Sequence, residues 1–265
     1  MANAEPLTNA PGALSALSMA SRSPLPCPPS LAELLARGPH ALFLDFDGTL
    51  VGIAPRPGDI EVPVDLAKRL HDLRDRMEGR LALVSGRALD DLQTHLGKVA
   101  IARAGSHGAS RFFADGTRLG EAPAGLPDEA VVTLRDYARA NGLLYETKSH
   151  GGALHFRGHP EKGEETLAFA AKVARRFALE VTSGKGVAEL VRPGANKGAA
   201  LKAFMAIEPF AGSTPVFIGD DVTDEHGMAA AIEFSGFGIA VGERDSKAAR
   251  YHLQDVEAVH NWLNL

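Results

Sequence analysis

Short, nearly continuous apolar runs recur along this chain, and most end in small or acidic residues. They lie at 41–46, 81–85, 99–104, 215–219 and 238–241, with helix-period segments among them at 64–77, 89–96, 197–207, 224–232 and 256–263. A strand that is apolar at every position must bury both faces, as the strands of parallel sheets do. Right-handed crossovers between such strands lay helices on both sides of the sheet. The expected fold class is α/β, with a doubly wound three-layer parallel-sheet core.

Between these runs the pattern changes. Segments at 111–113, 143–146, 153–157, 179–182 and 187–191 read as strands, some alternating polar with apolar, and 128–140 and 161–177 read as helices. Alternation marks a sheet with one face covered and one face wet, an α+β module. The parallel pattern resumes afterwards, so the module is inserted, not appended. The expected organisation is a core at 40–110 and 193–265, an inserted α+β domain at 111–192, and a flexible N-terminal tail at 1–39. The tail is rich in Ala, Pro and Ser, a composition that buries too little surface to offset its ordering entropy. Within it, 30–37 can form a short helix with Ser30 as N-cap and Glu33 at the capping-box position.

Composition removes several classes of function. Lys+Arg total 28 against 33 Asp+Glu, a net charge of −5, where a nucleic-acid surface would bring a basic excess. No apolar run is long enough for a membrane helix, so no membrane partner is expected. The only cysteine is Cys27, which excludes a disulfide framework and a cysteine zinc site. With no basic start and apolar h-region to mark a secretory signal, a cytoplasmic location is expected. Nothing in the pattern specifies an oligomeric state.

The chemistry concentrates at the ends of the apolar runs. The first ends in Asp45-Phe46-Asp47-Gly48-Thr49, two carboxylates spaced i, i+2 and followed by a Gly–Thr turn. In open α/β sheets the ligand crevice lies beyond the carboxyl ends of the strands. There one carboxylate can bind a hard cation or attack an electrophile while the other handles a proton. A calcium-loop reading fails, because Leu50 and Arg56 stand where that loop needs Gly and Glu. A second run ends in Ser85-Gly86-Arg87, and a third in Gly219-Asp220-Asp221-Val222-Thr223-Asp224-Glu225. Asn196-Lys197-Gly198 opens a helix and sets an ammonium beside backbone N–H groups that favour anions. Each has a plainer account: Ser85 as a helix N-cap, Lys197 as a solvated lysine, Asp220 and Asp221 as caps. All four at one sheet edge suit phosphoryl transfer, with Mg²⁺ in an oxygen-only shell and an aspartate as covalent nucleophile.

These four motifs, in this order, resemble those of the haloacid dehalogenase superfamily. The inserted module is similar to that superfamily's type-2 cap, and further motifs resemble the trehalose-6-phosphate phosphatase family. They are Gly105-Ser106-His107-Gly108-Ala109, then Glu146 and Lys148 with His155-Phe156-Arg157, then Gly184-Lys185 with Glu189-Leu190, and Asn196-Lys197-Gly198. The resemblance implies Asp45 as nucleophile, Asp47 as general acid and base, and Ser85 and Lys197 as holders of the phosphoryl oxygens. Mg²⁺ would sit between Asp45, the Asp47 backbone carbonyl and Asp220, with Asp221 and Asp224 behind them. Gly86, Arg87, His107, Glu146, Lys148, Arg157, Lys185, Glu189 and Asn196 would surround a sugar-phosphate substrate. Charged cap residues suit a disaccharide, because paired hydrogen bonds to hydroxyls reject ligands that lack them. The competing accounts are an exposed Glu146–Lys148 ion pair and structural roles for His107 and His155. At the level of the whole chain they are a sucrose- or hexose-phosphate phosphatase, a receiver-type signalling domain, and a catalytically silent sugar-phosphate sensor.

Overall fold

The protein's structure, a computed structural model, describes residues 25–265 apart from 55, 56, 123, 149 and 185. The described elements are α1 (Leu31–Arg37), β1 (His40–Leu44), α2 (Leu66–Arg76), β2 (Leu81–Val84), α3 (Leu89–Leu96), β3 (Ala102–Gly105) and β4 (Ser110–Phe112). Then come α4 (Asp128–Asn141), β5 (Leu144–Lys148), β6 (Gly151–His155), α5 (Gly163–Phe177), β7 (Glu180–Gly184) and β8 (Val187–Val191). The chain ends with α6 (Lys197–Met205), β9 (Thr214–Gly219), α7 (Asp224–Glu233), β10 (Phe237–Val241), β11 (Ala249–Leu253) and α8 (Val256–Leu263).

The first sheet has the order β11-β10-β9-β1-β2-β3-β4, parallel throughout except for the β3–β4 pair. Successive residues of β1 serve opposite faces, as the strand period demands. Leu42 and Leu44 join Leu34, Leu70, Leu73, Val259 and Leu263 on the side of α1, α2, α3 and α8. Ala41 and Phe43 join Leu201, Phe204 and Met228 on the side of α6 and α7. Burial on both faces is why these strands carry no polar alternation.

From β1 the chain steps outward through β2 and β3, and later returns through β9, β10 and β11 on the other side. The strand order therefore reverses between the parallel neighbours β1 and β9, and a crevice opens there beyond the strand ends. The second sheet, β5-β6-β8-β7, is wholly antiparallel. Leu154, Leu190, Tyr145 and Val181 pack under Leu134 of α4 and Val173 of α5. Glu146, Lys148, Ala153 and Glu189 fall on its other face by alternation. No described helix is long and apolar enough to cross a membrane.

Three expectations change. The strand expected at 111–113 in the inserted module is β4 of the core sheet, antiparallel to β3. The link from β3 is one tight turn at Ser106–Gly108, far too short for a parallel crossover, so a hairpin is the only connection available. The edge strand β11, not anticipated, pairs parallel with β10. Finally, packing begins before residue 40. Residues 1–24 of the expected tail lie outside the described residues, but α1 forms with its capping box. Glu33 N–H donates to Ser30 Oγ at 3.3 Å, and Ser30 N–H donates to Glu33 Oε2 at 2.8 Å. Leu31 and Leu34 are buried, and Trp262 Nε1 donates to the Pro29 carbonyl at 2.8 Å. Leu34→Ala is expected to cost about 2–4 kcal/mol in urea unfolding, as for other buried leucines. A loss below about 0.5 kcal/mol would show that α1 lies outside the cooperative core.

Candidate active site

Asp45, Ser85 and Asp220 each stand one residue past the end of an adjacent parallel strand, β1, β2 and β9. Asp45 continues the β1 ladder by donating its N–H to the Ile218 carbonyl at 2.9 Å, so its side chain is placed by the sheet. Lys197, the first residue of α6, reaches into the same space. Its Nζ donates to Asp45 Oδ1 at 2.7 Å and to Asp224 Oδ1 at 2.6 Å, with all three groups buried. Asp224 opens α7 and is fixed at its other oxygen, where Oδ2 accepts from the Asp221 N–H at 2.8 Å.

Carboxylate oxygens of Asp45, Asp220 and Asp224 lie within 4.8 Å of one another, three acids facing one ammonium. Burial and its acidic neighbours, Asp224 foremost, push the Asp45 carboxyl well up from its ordinary range, against the pull of Lys197. Burial and Asp224 raise Asp220 to about 6. Burial also raises Asp224, though Lys197 opposes it. Burial disfavours the Lys197 charge, but Asp224 and Asp45 outweigh that and hold the ammonium charged. Two observations fit a cation at this place. Asp220 Oδ1 is buried and has no hydrogen-bond partner among the described residues. Gly48, at φ 79°, leaves room that a Cβ would take, since that atom would stand 2.2 Å from Asp220 Oδ2. An oxygen-only donor set of this kind takes a hard divalent ion.

The plainer accounts of these residues do not match their surroundings. Ser85 does not cap α3, whose N-cap is Ala88; its buried Oγ accepts from the Arg87 N–H at 3.1 Å. Lys197 is buried, not solvated. The N-cap of α7 is Thr223, so neither Asp220 nor Asp221 caps that helix, and Asp221 is exposed. Asp47 faces Arg87, whose Nε and Nη2 donate to its two carboxylate oxygens at 2.7 and 2.6 Å. The same guanidinium donates from Nη1 to Asp91 at 2.7 Å, which anchors it to α3.

The substrate candidates divide. Gly86 lies under the His107 ring, where a Cβ would come within 2.7 Å of Cε1. Burial lowers the His107 imidazole to about 4, despite Glu189 nearby, so it is neutral at ordinary pH. His107 Nε2 lies 3.9 Å from Oε2 of Glu189, a buried residue of β8, so the inserted domain meets the core here. Lys148 Nζ donates to the same Glu189 oxygen at 2.9 Å. Glu146, half-exposed on the same sheet face, pairs with His155 at 2.8 Å and not with Lys148. Asn196 is the N-cap of α6, its Oδ1 accepting from the Ala199 N–H at 2.9 Å. Arg157 is exposed in the turn after β6, against Gly186 of the opposite hairpin. Lys185 lies outside the described residues.

Two residues here carry no sequence signal. Arg244 donates to the carbonyls of Asp220 and Asp221, each at 3.0 Å, and to Glu225 at 2.8 Å, so it clamps the acidic loop. Backbone acceptors leave no trace in a motif. The other is His150, buried beside Glu189 in the two-residue link between β5 and β6. If the acidic cluster is built for a cation, Asp220→Asn raises the Tm of EDTA-treated protein by about 2–4 °C. Millimolar magnesium chloride then raises the wild-type Tm and leaves that of the variant unchanged. A wild type that melts at one temperature with and without magnesium contradicts the cation site.

The comparisons with known proteins agree with this geometry. A family model described as trehalose-phosphatase matches residues 43–257. The chain is 34% identical to the trehalose-6-phosphate phosphatase of Escherichia coli strain K12, over 88% of each chain. It is 36% identical to a probable trehalose-phosphate phosphatase of Sinorhizobium fredii, over 76% of this chain and 77% of that one. Among solved structures, the C-terminal domain of C. albicans trehalose-6-phosphate phosphatase shares the fold. It has a TM-score of 0.75 and 20% identity, over 92% of this chain and all of that one. With its strand order reversing at a carboxylate cluster and the family model spanning both domains, the chain belongs to the trehalose-phosphatase family.

Proposed function

We propose that this enzyme hydrolyses trehalose 6-phosphate to trehalose and phosphate through a phosphoaspartate on Asp45. The observation that carries the reading is the Lys197 bridge, which holds Asp45 at the crevice between β1 and β9 in a chain of this family. Asp45 attacks phosphorus, and the bond from phosphorus to the sugar oxygen breaks. Asp47 supplies the proton that the departing hydroxyl needs. In the second half a water attacks the phosphoaspartate, Asp47 takes its proton, and Asp45 and phosphate are released. The Arg87 fork fixes where Asp47 stands, and letting go of it frees the side chain to reach the leaving oxygen.

Ser85 Oγ and Lys197 Nζ stand beside this path and would hold the phosphoryl oxygens. A divalent cation, Mg²⁺ in this reading, would be held by Asp45, Asp220 and the Asp47 carbonyl, and it supplies positive charge to offset the phosphate. Asp224, tied to Lys197 and to Asp221, keeps that ammonium aimed at Asp45. On the inserted domain, Glu146, Lys148 and Glu189 share one sheet face, turned away from the covering helices, and would receive the sugar hydroxyls. Closure at Glu189 and His107 would shut bulk water out of the crevice.

Phosphate release from trehalose 6-phosphate, sucrose 6-phosphate and glucose 6-phosphate, with and without EDTA, tests the reading. The expected result is the highest kcat/KM on trehalose 6-phosphate, turnover lost in EDTA, and no turnover by a folded Asp45→Asn variant. Preference for another sugar phosphate, or an active Asp45→Asn enzyme, would contradict it.

A further inference from the structure

His150 is buried beside Glu189, the residue through which the inserted domain approaches His107 of the core. It occupies a tight link between β5 and β6, where a side chain normally points to solvent. It is instead 2% exposed, and neither ring nitrogen has a hydrogen-bond partner among the described residues. An apolar side chain would fill that space without taking two polar atoms out of water. The ring's Nε2 lies 3.3 Å from Glu189 Oε1, within ion-pair reach but outside the geometry of a full hydrogen bond. That carboxylate oxygen is itself buried and accepts no hydrogen bond among the described residues, while Oε2 is held by Lys148.

We propose that His150 is a positioning residue for sugar specificity, one that fixes the plane of the Glu189 carboxylate for hydrogen bonds to the hydroxyls of the bound substrate. The proposal rests on the trehalose-phosphatase reading and deepens it. A lysine ammonium is a point charge on a flexible stem, and it holds one oxygen without fixing the plane of the carboxylate. An imidazole N–H has a set direction. His150 is carried on the turn of β5 and β6, and β6 is hydrogen-bonded to β8 with Ala153 opposite Glu189. The sheet thus ties the two side chains to each other. A small rotation turns the 3.3 Å approach into a hydrogen bond, and the carboxylate is then gripped at both oxygens. Neighbouring hydroxyls on a sugar ring need an acceptor held at one angle, and recognition of this kind discriminates strongly against ligands without them.

The test compares kcat and KM on trehalose 6-phosphate and on p-nitrophenyl phosphate, which has no sugar hydroxyls. In His150→Leu the KM for trehalose 6-phosphate rises about tenfold or more while its kcat changes less than about twofold. The ratio of kcat/KM on the sugar phosphate to that on the aryl phosphate falls with it. His150→Gln puts an amide nitrogen near the place of Nε2 and recovers most of the ratio. An unchanged KM in His150→Leu, an equal fall on both substrates, or no recovery in His150→Gln would overturn the proposal. If His150→Leu does not fold, Gln is compared with the shorter Asn at the same position: the ratio is kept by Gln and lost by Asn, and equal ratios overturn the proposal. Wild-type preference for a different sugar phosphate would overturn the proposed function alone, since the same ratio is then read on that sugar.

Discussion

A lysine ammonium between two buried carboxylates holds this molecule's chemistry together. Lys197 is the first residue of α6, Asp224 the first of α7, and Asp45 the first past β1, so one cation ties two helices to the central strand. Removing one member of such a buried group leaves the others charged and uncompensated, which costs far more than the group contributes as a whole. The arrangement still holds more acid than base, because Asp220 leans into the same space with an oxygen that has no hydrogen-bond partner among the described residues. Folding on its own would favour fewer carboxylates here. That surplus negative charge, opposite a backbone pared to glycine at Gly48, is what a cation and a phosphoryl group would relieve.

The inserted domain follows from strand periodicity. Alternation in β5, β6 and β8 puts Tyr145, Leu154 and Leu190 under the helices, and therefore Glu146, Lys148 and Glu189 on the opposite face. A one-residue slip would turn these three charges toward the helices and the apolar set away from them. Glu189 is the residue where this face touches the core, 3.9 Å from a neutral His107 that rests over Gly86. Gly86 follows Ser85, so the seam lies next to the phosphoryl side of the site. In the proposed function, sugar recognition and phosphoryl chemistry would thus be joined across a few side chains.

Much of this was legible in the sequence, for identifiable reasons. The core strands announce themselves because both of their faces are buried, and their chemistry because loops at the strand ends must carry it. The covered helices of the inserted domain, 128–140 and 161–177 as read, fall close to α4 and α5. What escaped depends on contacts that leave no pattern. Edge strand β11 reads Ala-Arg-Tyr-His-Leu, with too little apolar run to signal a parallel strand. Strand β4 reads in the sequence as part of the inserted module but pairs with β3, because residue type does not tell which neighbour a short strand will pair with. Composition assigned residues up to 39 to a tail, yet Leu31 and Leu34 are enough to dock α1. Arg244 acts on backbone carbonyls, and His150 is defined by burial alone.

In the proposed reaction the Asp45 carboxylate is the nucleophile that attacks phosphorus, and acid quenching during turnover tests that most directly. Enzyme mixed with trehalose 6-phosphate labelled in its phosphate, quenched within milliseconds and digested, is predicted to carry the label as an acyl phosphate on the peptide containing Asp45. Label on a different residue, or protein that stays unlabelled throughout a measured burst of trehalose release, would contradict it.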